Sequence, residues 1–366
     1  IALTVLGVPS GKGSIFLWIE NVCVGFYLII FRIKYPKWMV FEMGTGKPGD
    51  IKELTDWIKP DVVVLTRFPD VPVHVEHFKG TNEIIEEKMN LAYALKDDGV
   101  LILNHDDTKV LSAKNKVKRK TVSYGFQDYA TYHATYPNIA YKNMGEISLP
   151  YGISFKMEYE GNTFPVIMNH VIGINHVYAG LGAICVANEI GCDLLKAIDA
   201  LKEYQTPAGR LSVIDGINQS IIIDDTYNSS PVALESAIDV LKNIKSKRKI
   251  AVLGDMLELG AMTEEAHKSI GKYLKNTIDI LVTIGPRSHF IREEMLEGGM
   301  NKNNIYSFEN AVTVGKFLLG IIEEGDAVLV KGSQGMRMEK TVEMIMQNKN
   351  DAYKLLCRQE KEWKNK

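Results

Sequence analysis

Short apolar runs that end in polar residues, separated by helix-patterned segments, constrain this chain more than any other feature. WMVFEMG (38–44), DVVVLTR (61–67) and GVLILNHDD (99–107) each read as a buried strand. Between them, IKELTDWIK and EIIEEKMNLAYALK carry apolar residues at spacings of three and four, the period of a helix face. Strands apolar throughout need cover on both faces, and intervening helices supply it. The rhythm therefore predicts a mostly parallel sheet in an α/β fold. Open sheets of that kind hold their ligands beyond the C-terminal strand ends, where these runs carry their polar residues.

From residue 120 to 168 the pattern changes. KTVSYGF, ISLPYGISFKMEYEG and TFPVIM alternate β-branched and aromatic residues between Gly and Pro turns, predicting a small antiparallel β element. Helices are expected at 177–190 and 193–204. The polar, turn-rich EYQTPAGR (203–210) then places a boundary, giving domains 1–205 and 206–366. Beyond it QSIIIDDTYN, KRKIAVLGDM, IDILVTIG and DAVLVKGS restart the rhythm, so a Rossmann-like C-terminal α/β domain is expected. The charged DAYKLLCRQEKEWKNK at the end reads as a frayed helix or tail.

Bulk properties exclude several classes. A net charge of −2 argues against a nucleic-acid partner. The four cysteines lack C-x-x-C spacing, which fits neither a zinc site nor a disulfide framework and suits a reducing cytoplasm. The apolar FLWIENVCVGFYLIIF (16–31) is shorter than the roughly 20 residues of a spanning helix and is broken by Glu20 and Asn21. A buried or surface-docked helix is expected there rather than stable membrane insertion, with membrane contact as the alternative. The chain opens on Ile, and further sequence upstream is expected.

Four segments carry candidate chemistry. IIIDDTYNSSP (221–231) sets two carboxylates at a strand end, suited to a ribose or a metal-bound phosphate; equally, an Asp could cap the helix beginning near Pro231. In FEMGTGKPGDI (41–51) Glu42 precedes a glycine-rich turn and could reach a magnesium ion, or the segment is an ordinary strand-to-helix loop. His74 and His77 in TRFPDVPVHVEHF are spaced for zinc, but no third ligand suggests itself. The Lys331-Gly332-Ser333 turn could bind an anion through its amides, although such loops are common; AVLGDMLELG (251–260) and His267 precede it.

Taken in order, EMGTGKPGDI, PVHVEHF, EEKMNLAYAL, LNHDD, GINHVYAGLGA, AGRLSVIDG, IDDTYNSSPVALESAI, LGDMLELG and VLVKGSQGMRMEKTVE resemble the Mur ligases over residues 1 to 345. The resemblance is greatest to the members that add D-alanyl-D-alanine. It implies an ATPase central domain and an ATP-dependent amide ligase of peptidoglycan precursor synthesis. ATP would phosphorylate the peptide carboxylate of UDP-N-acetylmuramoyl-tripeptide, and the amine of D-alanyl-D-alanine would attack the acyl phosphate. A cytoplasmic monomer working with ATP and Mg2+ is implied. By the same resemblance Glu42 and His74 would hold magnesium, and Lys88 matches the lysine that is often carbamylated, a further metal ligand. Asn175 and His176 match the family's nucleotide-side His-Asn pair in reversed order. Arg210 would contact ATP, Asp225 its ribose with Tyr227 and Asn228 completing the turn, and Lys331 and Ser333 the substrate.

GVPSGKGS (7–14) has the lysine and serine of a phosphate loop. Yet three residues separate Gly7 from Gly11, where the Walker pattern has four. IALTVLG (1–7) resembles a segment downstream of the family's true loop, so GVPSGKGS is expected to be a decoy with Lys12 a surface lysine. Two alternatives remain open: a folylpolyglutamate-type ligase, and a non-catalytic scaffold lacking its phosphate loop.

Overall fold

The computed structural model forms two compact units, Ile1–Thr45 and Gly46–Lys366. It describes every residue except 12, 32–34, 69–77, 145–146, 170, 361–362 and 364–366, and leaves the side chains of 142–149 undescribed. His74, His77 and Lys12 therefore lie outside the described residues.

The first unit holds α1 (Ala2–Leu6) and α2 (Ile15–Ile30). Ser14 caps α2 by accepting from the Leu17 amide at 3.4 Å, and the Asn21 side chain donates to the Pro9 carbonyl at 2.9 Å. The expected helix at 16–31 is present, but with its large apolar side chains outward: Phe16 is 85% and Ile29 82% exposed. No helix among the described residues is long and apolar enough to cross a membrane. The run at 38–44, expected as a strand, forms none. A strand exists through a neighbour's hydrogen bonds, and no described residue of this unit offers a ladder.

The second unit contains two six-stranded sheets. The first runs β1 (Val62–Leu65), β2 (Val100–Asn104), β3 (Lys120–Gly125), β4 (Tyr132–Met144), β5 (Ile147–Tyr159) and β6 (Asn162–Asn169), in that spatial order. Strands β1 to β4 pair parallel and β4 to β6 antiparallel. KTVSYGF, expected in the antiparallel element, joins the parallel half as β3, because its buried centre pairs with the equally buried β2. Successive β2 residues feed opposite cores: Leu101 and Leu103 pack with Met89, Ile102 with Tyr124 and Leu181. That two-sided burial is why the run reads as unbroken apolar sequence. Helices α3 (Asp50–Trp57), α4 (Thr81–Tyr93), α5 (Thr108–Leu111), α6 (Ile174–Glu189) and α7 (Leu194–Ala200) accompany this sheet.

Residues 203–210 fall between the sheets. The second comprises β7 (Ser212–Asp215), β8 (Ile221–Asp225), β9 (Arg248–Gly254), β10 (Ile280–Ile284), β11 (Ile305–Phe308) and β12 (Asp326–Lys331), ordered β11-β10-β9-β12-β8-β7. Only β7 is antiparallel, pairing with β8. Helices α8 (Pro231–Asn243), α9 (Thr263–Leu274), α10 (His289–Glu297), α11 (Ala311–Leu318), α12 (Glu339–Ile345) and α13 (Ala352–Leu355) complete it. The tail is not frayed where expected. Leu356, Cys357 and Arg358 are buried, Leu356 within the core beside Ile345 and Met346.

Candidate functional site

A cavity of about 630 Å³ lies beyond the C-terminal ends of β1 and β2, walled by Thr66, Asn104, Asp106, Asn175 and Tyr178 and closed on another side by Val232 of α8. This is the position open α/β sheets use for ligands, here bordered by elements that belong to both sheets. Its anchor is Asp106. That carboxylate accepts from the Phe126 amide at 2.7 Å, the Gln127 amide at 2.9 Å and the Tyr178 hydroxyl at 2.7 Å. The Asp106 amide in turn donates to Asn104 Oδ1 at 3.0 Å. A Cβ on Gly125 would lie 2.5 Å from the Asp106 carboxylate, so only glycine lets β3 approach this closely. Burial and the Asp106 charge push the Tyr178 hydroxyl pKa upward, keeping it a neutral donor.

Lys88 stands beside this wall on α4, half-buried, with its ammonium 5.7 Å from the Phe68 ring centroid. Burial lowers its pKa, opposed by the Asp107 charge. Asp107 caps α5 through the Val110 amide at 3.0 Å and accepts from the Phe68 amide at 2.7 Å. Glu42 is exposed in the first unit, outside any helix or strand. Among the described residues no three His, Cys, Asp or Glu side chains gather as a metal site.

The second cluster lies at the end of β8. Asp225 is buried and paired with the Lys331 ammonium at 2.6 Å, while its other oxygen accepts from the Leu211 amide at 3.2 Å. Lys331, only 2% exposed, also donates to the Asn228 carbonyl at 2.8 Å. Ser333 is buried, accepting from the Leu257 amide at 2.9 Å and donating to the Ser229 carbonyl at 3.4 Å. Tyr227 and Asn228 are exposed, with the Arg210 guanidinium 4.2 Å from the Tyr227 ring centroid. His176 is buried near Tyr204, and burial depresses its pKa against a hydrogen bond that its ring donates to the Arg210 backbone and against the Asp225 charge. Asn175 donates to Ser236 Oγ at 2.9 Å.

The structure thus gathers Arg210, Asp225, Tyr227, Asn228, Lys331 and Ser333 around one turn, with Asn175 on the cavity wall and His176 on the same helix. The helix after the turn is capped by Ser230, not by an aspartate. Asn104, Asp106 and Tyr178 are not among the site residues expected from sequence, although LNHDD ends a predicted strand and so carries the signal for the first two. Below the turn sit Glu339 and Arg358, whose separation along the chain leaves no local signal.

The Mur ligase middle domain matches residues 21–187, and the Mur ligase glutamate ligase domain matches residues 209–334. The UDP-N-acetylmuramoyl-tripeptide–D-alanyl-D-alanine ligase of Rickettsia prowazekii is 26% identical over 84% of this chain and 66% of its own length. The Bacillus subtilis protein of the same description is 28% identical over 84% of this chain and 64% of its own. This chain therefore spans a little under two thirds of those relatives' length. In fold it is similar to the Thermotoga maritima MurF ligase solved in complex with ADP, with a TM-score of 0.72, 24% identity, and coverage of 86% of this chain and 68% of that one. With a middle domain and a ligase domain matched in the family's order, the chain belongs to the Mur ligases.

Proposed function

We propose that this chain is the ATP-using part of a ligase that adds D-alanyl-D-alanine to UDP-N-acetylmuramoyl-tripeptide, releasing ADP and phosphate. The observation that carries the reading is the cavity bordered by both sheets, with a fixed carboxylate network on one wall and the Asp225–Asn228 turn beyond α6. Domains at 1–205 and 206–366 belong to the same reading, as does a cytoplasmic monomer. The relatives' descriptions support the substrate pair, and a net charge of −2 gives no sign of the basic excess that a nucleic-acid partner would call for.

In this mechanism the protein's work is positioning and charge neutralisation. Tyr178, held by Asp106, and Asn104 offer polar edges to a base, and Tyr227 with Arg210 offers a stacked face beside it. Asp225 keeps an anionic edge for ribose hydroxyls, with Lys331 fixing its orientation. Ser333, itself buried, orients the loop after β12 towards the incoming amine. Lys88 suits carbamylation because burial favours the neutral amine that captures carbon dioxide. A carbamate there would be an anionic oxygen donor of the kind Mg2+ takes, while Glu42 and His74 are proposed as magnesium ligands on the family resemblance alone. Bound magnesium would neutralise charge on the transferring phosphoryl group.

The test is calorimetric titration of the chain with Mg2+·ATP, alongside Ala179→Trp, which fills the cavity from an exposed wall position. Binding by the parent and at least tenfold loss in the variant, at unchanged melting temperature, are expected. Equal affinity for both would remove the cavity from the reading. Phosphate release that needs glutamate and a folate, rather than D-alanyl-D-alanine, would favour the folylpolyglutamate alternative.

A further inference from the structure

The backbone of the Asp225–Asn228 turn is held from beneath by two buried cations. Three successive carbonyls face inward. Those of Thr226 and Tyr227 accept from the Arg358 guanidinium, the first at 3.2 Å, and that of Asn228 accepts from Lys331 at 2.8 Å. With the carbonyls turned in, the Tyr227 and Asn228 side chains are left exposed. Arg358 is only 7% exposed and comes from the C-terminal tail, whose course is fixed by Leu356 in the core. Its Nη1 also donates to Glu339 Oε2 at 2.9 Å and to Cys357 Sγ at 3.0 Å. Glu339 is shared, since its other oxygen accepts from Arg337 at 2.6 Å. The turn has little slack above: the Tyr227 amide donates to the Gly209 carbonyl at 3.0 Å, and a Cβ on Gly209, at φ +74°, would lie 2.8 Å from the Tyr227 nitrogen.

A planar, permanently charged fork is the side chain that can fix two adjacent peptide planes at once; lysine offers a single point of charge. From this we infer that Arg358 is a positioning residue for nucleotide binding: the C-terminal tail sets the angle at which Tyr227, with Arg210 over its ring, meets the nucleotide. The inference rests on the proposal that this turn faces the nucleotide, and it adds to it a residue from outside the matched domains, which end at residue 334.

Two readouts on the full chain separate the parts. Hydrogen exchange without nucleotide is compared for the parent, Arg358→Ala and Arg358→Lys, following peptides that cover 226–230 and β9. Faster exchange confined to 226–230 in both variants, with lysine intermediate, is expected. Unchanged exchange at the turn overturns the inference whatever the nucleotide does, and so does acceleration spread equally over β9, which marks a general structural role. Titration with Mg2+·ADP then reads the consequence: about tenfold weaker binding for Arg358→Ala and partial recovery in Arg358→Lys are expected, at an unchanged ligand stoichiometry. Parent-like affinity in a variant whose turn has loosened overturns the positioning role while leaving the nucleotide site standing. A parent that binds no ADP removes the site itself, and this role with it.

Discussion

Asp224 is the most conspicuous side chain that the chemistry does not use. It is fully buried at the end of β8, and one carboxyl oxygen accepts from the Thr226 amide and hydroxyl, at 3.2 and 2.6 Å, while Oδ2 has no partner among the described residues. Burial raises its pKa from 3.8 to about 7, only partly offset by Thr226. The folded protein therefore holds a proton that the unfolded chain releases above about pH 4. Stability from this group is complete below that value and is lost as pH rises towards 7. Asp224→Asn should remove the loss, gaining on the order of 2–4 kcal/mol over the parent at about pH 8 and little at about pH 4. Urea denaturation at the two pH values measures it, and an equal effect at both would leave the carboxyl ionised throughout. Lys331→Met tests the opposite situation. It leaves the buried Asp225 unpaired, so a cost of about 3–5 kcal/mol is expected by the same measurement, and a neutral result would mean that water reaches the pair.

At the scale of elements, what the sequence disclosed depended on length and locality. The runs of β2, β8, β9, β10 and β12 are legible because burial on both faces makes them almost continuously apolar, and β1 is legible because Val62 and Val64 on its half-buried face are apolar as well. Strands β7 and β11 are not legible, because unlike the all-apolar β1 each interrupts its few apolar residues with polar ones, Ser212 and Asp215 in the first and Ser307 in the second. The DDTYN turn was readable as a site, since its residues are adjacent in sequence. Its supports Glu339 and Arg358 were not, because a long-range fork onto carbonyls writes nothing into local pattern. His267 in α9 is marked in the sequence only by its place after LGDMLELG, and the structure gives it a structural task. Fully buried, it accepts from the Met256 amide at 3.0 Å and bonds the Thr263 carbonyl at 2.7 Å, pinning the loop after β9 to its helix. Burial depresses its pKa, so the folded protein binds fewer protons than the unfolded chain just below about pH 6.5, and stability falls as pH drops through that value. His267→Gln should flatten this acid limb at a cost of about 1–3 kcal/mol near neutrality, read from melts across pH; an unaltered limb would assign it elsewhere.

For the whole molecule, both sheets and all four buried clusters belong to residues 46–366. A fragment starting at Gly46 should therefore unfold cooperatively within a few degrees of the full chain by circular dichroism. A loss of ten degrees or more would show that the second unit leans on the first. The second sheet also carries a consequence for synthesis. Strand β12, the last made, lies in the middle of the sheet, the sole parallel neighbour of β8 and the link from β8 to β9. Until the ribosome has released residues beyond 331, the pieces β7–β8 and β9–β10–β11 each present a raw inner edge with no partner. The growing chain must wait with two half-sheets open, which makes the interval before β12 emerges the one in which this sheet is most exposed to mispairing and to chaperone capture.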